Sequence, residues 1–64
     1  MKKGLVSILL CTYNAQETIV QTLQSCLNQT YQNFEILIHD DGSKDKTLLA
    51  IQKINDSRIQ VLNS

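Results

Sequence analysis

The sequence has no proline and no tryptophan, only two glycines, and two tyrosines and one phenylalanine as its aromatic side chains. That composition excludes collagen-like repeats and Pro/Gly-rich linkers. Its two cysteines, Cys11 and Cys26, lack C-x-x-C spacing and are joined by a single histidine, His39. A structural zinc site needs four ligands of this kind and a catalytic site three, so these residues do not compose one. Free thiols buried as small hydrophobes are expected instead, which suits a reducing cytoplasm. The formal net charge is zero, whereas a nucleic-acid surface calls for a basic stripe. No apolar run approaches the roughly twenty residues of a spanning helix. Met1-Lys2-Lys3 before the run 5–11 resembles a signal peptide, but Ser7 interrupts that run and no small-residue cleavage site precedes Tyr13-Asn14. A buried strand explains it better.

At 64 residues the chain is one small domain at most, a size that buries only about 60% of its unfolded surface. Residues 5–11 are nearly continuously apolar and read as a strand covered on both faces. Over 15–28, Ile19, Leu23, Cys26 and Leu27 form one helical stripe. Asn14 and Glu17 stand at the N-cap and N3 positions of a capping box, so the helix is expected to begin there. Residues 34–39 form a second strand, and Asp40-Asp41-Gly42-Ser43 breaks it. Asp45 caps a second helix whose Leu48, Ile51 and Ile54 share a face. Residues 58–62 alternate and read as a third strand. There is no internal repeat.

The fold class is therefore α/β, a parallel-sheet βαβαβ unit. Crossovers between parallel strands are right-handed in about 98% of cases. With both connections stepping the same way, the order is 3-2-1 and both helices cover one face. Val6, Ile8 and Leu10 then point one way, and Leu5, Leu9 and Cys11 the other. The second face needs a cover that these residues do not supply, so the chain reads as an incomplete domain or as a piece that associates with itself or a partner.

Ligands of open α/β sheets bind beyond the carboxyl ends of the strands. Thr12-Tyr13-Asn14 and Asp40-Asp41-Gly42-Ser43 both fall on that edge. One offers an aromatic face and a hydroxyl, the other an anionic acceptor beside a flexible turn, a set that suits a flat heterocycle with N–H donors such as uracil. Adjacent strand residues point to opposite faces. One of Asp40 and Asp41 therefore meets the base while the other ties down the loop; alternation alone does not say which.

Three linked segments carry a resemblance. Val6-Ser7-Ile8-Leu9-Leu10-Cys11-Thr12-Tyr13-Asn14, Ser25-Cys26-Leu27-Asn28-Gln29-Thr30-Tyr31, and Phe34-Glu35-Ile36-Leu37-Ile38-His39-Asp40-Asp41-Gly42-Ser43-Lys44-Asp45 together resemble the opening of the inverting glycosyltransferase family 2. The resemblance implies a GT-A fold, with residues 1–64 as the N-terminal nucleotide-binding part of a Rossmann-like domain. It implies a nucleotide-sugar donor, a UDP-sugar by preference, and a saccharide or lipid-linked acceptor. Cell-envelope polysaccharide synthesis and a cytoplasmic site are expected, the inner face of the membrane staying open for the intact protein. It places the nucleoside along Thr12 and Tyr13, with Tyr13 packed on the base. Asp41 takes the uracil hydrogen bond, with Asp40 beside it, and Glu17 lies near the nucleotide. The family's metal, Mg or Mn, is held by an Asp-x-Asp motif, and its catalytic base comes later still; neither occurs in these residues. Two positions depart from the pattern: Cys11 replaces a usual proline or threonine, and His39 a usual aliphatic residue.

Structural roles compete at each position. Asn14 serves as a helix cap and Glu17 as its capping-box partner; Thr12 is either a turn residue or a nucleoside contact. His39 reads as a packing or hydrogen-bonding residue, Tyr31 and Phe34 as core or rim. Lys44 and Lys46 read as solvated surface. Two other functions compete, a receiver-type phosphoacceptor domain and a non-enzymatic scaffold. The first needs an acidic cluster where Thr12-Tyr13-Asn14 stands. A dinucleotide oxidoreductase is disfavoured because no glycine follows the first strand.

Overall fold

The computed structural model describes residues 4–62. The elements run β1 (Val6–Thr12), α1 (Ile19–Leu27), β2 (Phe34–Asp40), α2 (Thr47–Lys53) and β3 (Ile59–Val61). All pairing is parallel, and the sheet order is β1-β2-β3 with β2 in the middle. β1 and β2 pair along their whole lengths, from Val6 beside Phe34 to Thr12 beside Asp40. Each strand runs one residue past its apolar run, because the Thr12 hydroxyl donates to Asp40 Oδ1 at 2.6 Å and holds the two ends together.

The core lies between the sheet and the helices. Phe34, Ile36 and Ile38 on alternate positions of β2 are buried beneath Ile19 and Leu23 of α1 and Ile51 of α2. Half-buried Ile8 and Leu10 of β1, with Ile59 and Val61 of β3, flank this cluster. Arg58 closes its lower edge, with the guanidinium carbon 4.5 Å from the Phe34 ring centroid and an ion pair to Asp56 at 2.9 Å. The Tyr31 hydroxyl donates to the Gly4 carbonyl.

Both helices cover one face, and the opposite face is bare. Leu9 is 70% exposed, and Leu5 and Leu62 are also exposed. β1 is thus covered on one side among the described residues, not on two. The same uncovering corrects the expectation for Cys11: it is exposed and paired across the strands with His39, while Cys26, on α1, is half-buried.

α1 starts later than its sequence suggests. The first turn, at residues 16–18, is tight, with the N–H groups of Thr18 and Ile19 both donating to the Ala15 carbonyl at 3.1 and 2.8 Å. Thr18 occupies the cap position and makes no side-chain cap bond. Asn14 does not cap: at φ 48° it turns away, and its side-chain oxygen accepts the N–H of Lys44 instead. At α2, Lys46 holds the cap position, while Asp45 accepts the Thr47 N–H at 2.9 Å.

Candidate functional site

The loop after β1 and the loop after β2 lie side by side at the carboxyl edge of the sheet, joined by hydrogen bonds along their length. The Asp41 N–H donates to the Thr12 carbonyl at 2.8 Å. The Asn14 N–H donates to Ser43 Oγ at 2.8 Å, and the Lys44 N–H returns a bond to Asn14 Oδ1 at 2.9 Å. Farther on, the Ala15 N–H meets Thr47 Oγ1 at 2.7 Å, the Gln16 N–H meets Asp45 Oδ2 at 3.2 Å, and the Lys46 N–H meets Gln16 Oε1 at 2.9 Å. Tyr13 is therefore bracketed: the residue before it is bonded to Asp41 and the residue after it to Ser43. These bonds leave Tyr13 (58% exposed) and Asp41 on the surface, one on each of the two joined loops.

The two aspartates occupy opposite situations. Asp40 is 3% exposed, and its carboxylate accepts the Thr12 hydroxyl, the Ser43 hydroxyl at 2.5 Å and the Ser43 N–H at 2.8 Å. Bonds from the Ser43 and Thr12 hydroxyls, in that order of weight, outdo burial and hold its carboxyl below the ordinary carboxylate range, helped by the N–H groups of Ser43 and Gly42. Asp40 is thus an ionised anchor inside the turn. Asp41 is the carboxylate left facing water. Gly42, after both, turns the chain toward Ser43 at φ 76°, in the left-handed region where a side chain is strained.

The Thr12 side chain is also committed. It is buried, with its hydroxyl on Asp40 and its carbonyl on the Asp41 N–H. Glu17 is exposed one turn beyond the loop, and with Gln16, Val20, Lys46, Leu49 and Lys53 it lines an open groove of about 500 Å³ between the helices. That groove is on the helical side, and neither Tyr13 nor Asp41 lines it. A flat edge carrying one aromatic ring and one carboxylate offers a stacking surface and a hydrogen-bond acceptor; enclosing a whole nucleotide takes further walls.

Sequence reasoning missed the relay residues Ser43 and Thr47. In each case an aspartate fixes a hydroxyl proton, Asp40 for Ser43 and Asp45 for Thr47, and so turns the hydroxyl lone pair toward an N–H of the first loop. Their signal was the hydroxyl residue placed two or three positions after an aspartate. Burial opposes ionisation of Asp45, but bonds from the Thr47 hydroxyl, the Thr47 N–H and the Gln16 N–H outweigh it, and its pKa is lowered.

The residues present do not fit a metal ion. Among the described residues no group of three or more His, Cys, Asp or Glu side chains converges. Asp40 has its oxygens occupied by O–H and N–H donors, and Asp41 by itself supplies one carboxylate.

Comparison with known proteins bears on the same residues. The family model described as glycosyl transferase family 2 matches residues 7–64. The UDP-Glc:alpha-D-GlcNAc-diphosphoundecaprenol beta-1,3-glucosyltransferase WfaP of Escherichia coli is 54% identical over 55 residues, covering 86% of this chain and 22% of that protein. WfgD of the same organism, named for the same glucosyltransferase activity, is 45% identical over 64 residues, all of this chain and 25% of that protein. Chondroitin synthase of Escherichia coli is 41% identical over 61 residues, covering 92% of this chain and 9% of that protein. The chain spans a quarter or less of the length of these relatives. The sheet, its two carboxyl-edge loops and the family match over nearly every residue agree: this chain belongs to glycosyl transferase family 2.

Proposed function

We propose that these residues are the nucleotide-recognising, N-terminal part of an inverting glycosyltransferase that moves a sugar from a UDP-sugar to an acceptor hydroxyl. The observation that carries this reading is the clasp that joins the loops bearing Tyr13 and Asp41 and leaves both residues exposed at the carboxyl edge of a parallel sheet. In this reading the Tyr13 ring packs on the uracil face and the Asp41 carboxylate accepts the ring N3–H. Thr12 and Asp40 act from beneath, one by shaping the loop and the other by anchoring the turn. Glu17 is the fifth residue assigned to the nucleotide, from the helix side. The three strands are the 3-2-1 half of a GT-A sheet, and the bare face carrying Leu9 packs against the remainder of the intact domain.

The relatives WfaP and WfgD are named for glucosyl transfer onto a diphosphoundecaprenol-linked GlcNAc. A lipid-linked saccharide at the inner face of the membrane is the acceptor class proposed here. The acceptor's base and the ligands of any Mg or Mn ion lie outside these residues, because Asp40 and Asp41 do not compose such a site.

Magnitudes limit what this segment does by itself. Stacking on one aromatic ring contributes about 1–3 kcal/mol per base. A hydrogen bond to a charged group adds about 1.5–3 kcal/mol. Their sum, roughly 6 kcal/mol at best, falls short of the ~8 kcal/mol of micromolar binding. The 64-residue chain is therefore expected to bind UDP more weakly than micromolar and to transfer no sugar. The test is transfer of radiolabelled sugar from UDP-sugars by the full-length protein to a lipid-linked acceptor. Tyr13→Ala and Asp41→Ala each lower kcat/KM by about tenfold or more, the equivalent of one stacking or charged contact. Full activity in both variants would refute the assignment.

A further inference from the structure

Thr47 is the one fully buried hydroxyl at the start of α2 among the described residues, and nothing assigned to the nucleotide touches it. Its hydroxyl donates to Asp45 Oδ1 at 2.5 Å and accepts the Ala15 N–H at 2.7 Å. Asp45 uses its second oxygen on the Gln16 N–H. Two consecutive N–H groups of the first loop, within three residues of Tyr13, are therefore held by a pair that belongs to the second loop and is fixed to the head of α2. Because α2 is anchored in the core through Ile51, 3% exposed, the pair ties the height of the first loop to the helix layer rather than to the strands.

We infer that Asp45 and Thr47 are positioning residues that set Tyr13 against Asp41, an inference that rests on the nucleotide reading above. The upper relay, Asp40 to Ser43 to the Asn14 N–H, fixes the near side of the Tyr13 loop. The lower relay, Asp45 to Thr47 to the Ala15 N–H, fixes its far side. With only one relay, Asn14 at φ 48° is a pivot about which Tyr13 swings off the base. A hydroxyl is required at position 47, since it must donate and accept at once. Serine satisfies that and valine, of the same shape, does not.

The experiment compares UDP binding by the full-length protein carrying wild type, Thr47→Val, Thr47→Ser or Ile51→Val, with amide hydrogen exchange followed at residues 13–16. Thr47→Val is expected to weaken UDP binding by about tenfold, the contribution of one positioned hydrogen bond, and to speed exchange at Ala15 and Gln16. Thr47→Ser restores both to within about twofold. Ile51→Val lowers the melting temperature through the core and leaves binding unchanged, which a merely structural role for Thr47 would not predict. Unchanged binding in Thr47→Val, or equal weakening in Ile51→Val, overturns the inference while the nucleotide reading stands. Wild type that binds no UDP overturns both.

Discussion

Asp40 and Asp41 are neighbours in sequence and of one chemistry, yet only one is available to a ligand. Strand alternation requires that they differ but leaves the choice open. What decides it is the pair of hydroxyls on Asp40, from Ser43 three residues on and from Thr12 directly across the strand pair. The first is a local pattern; the second is 28 residues away in the chain and has none. Gly42 follows from the same turn. An added Cβ meets nothing within 4 Å, so the φ of 76° alone resists a side chain. Gly42→Ala is expected to cost about 1 kcal/mol of stability in denaturant titrations; no loss would mean that the turn relaxes freely.

Acid sensitivity also belongs to single residues. The Arg58 side chain, then its N–H and its charge, lower the Asp56 pKa from its ordinary 3.8 to about 2 against the effect of burial. Asp40 and Asp45 shift in the same direction. A carboxylate with a depressed folded pKa binds fewer protons in the native state, so its stabilisation is present above the unfolded pKa and is lost as pH falls through the folded one. The melting temperature should therefore decline between about pH 4 and about pH 2, and Asp56→Asn should remove part of that slope. A flat profile in that window contradicts the assignment.

At the scale of the elements, the order strand, helix, strand, helix, strand was legible because the apolar periods of two and of 3.6 are distinct over these runs. The boundary of α1 was not. A capping box is a local device, and Asn14 and Glu17 have the spacing for one, but the first-loop N–H groups are satisfied from 29 to 32 residues away by Ser43, Asp45 and Thr47. Tertiary caps free Asn14 to adopt its left-handed turn. The stripe of α1 was read correctly, and Leu23 is its fully buried centre. Leu23→Ala is expected to destabilise by about 2–5 kcal/mol, against under about 0.5 kcal/mol for a substitution at exposed Gln24. Thermal unfolding monitored by circular dichroism compares the two, and similar losses would show that α1 is not held by this contact.

For the molecule as a whole, one sheet face is covered by both helices and the other displays Leu5 and Leu9. The sequence carried that asymmetry in β1, where both faces are apolar and two helices suffice for only one. It also carried the exposure of Cys11, had the missing cover been applied to the thiol as well as to the leucines. The carboxyl edge is where the two halves of the chain meet, and the pair proposed to read the base, Tyr13 and Asp41, consists of one residue from each. On that proposal, base identity is the property to test. On the proposed reading uracil presents an N3–H donor to the Asp41 carboxylate, whereas cytosine presents an acceptor at the same ring position.

The decisive measurement is a thermal-shift panel of UDP, CDP, GDP and ADP on the full-length protein, with Asp41→Ala run beside wild type. UDP should give the largest shift in wild type, and that preference should vanish in Asp41→Ala. Equal shifts for all four nucleotides, or a uracil preference that survives the substitution, would contradict a base held between Tyr13 and Asp41.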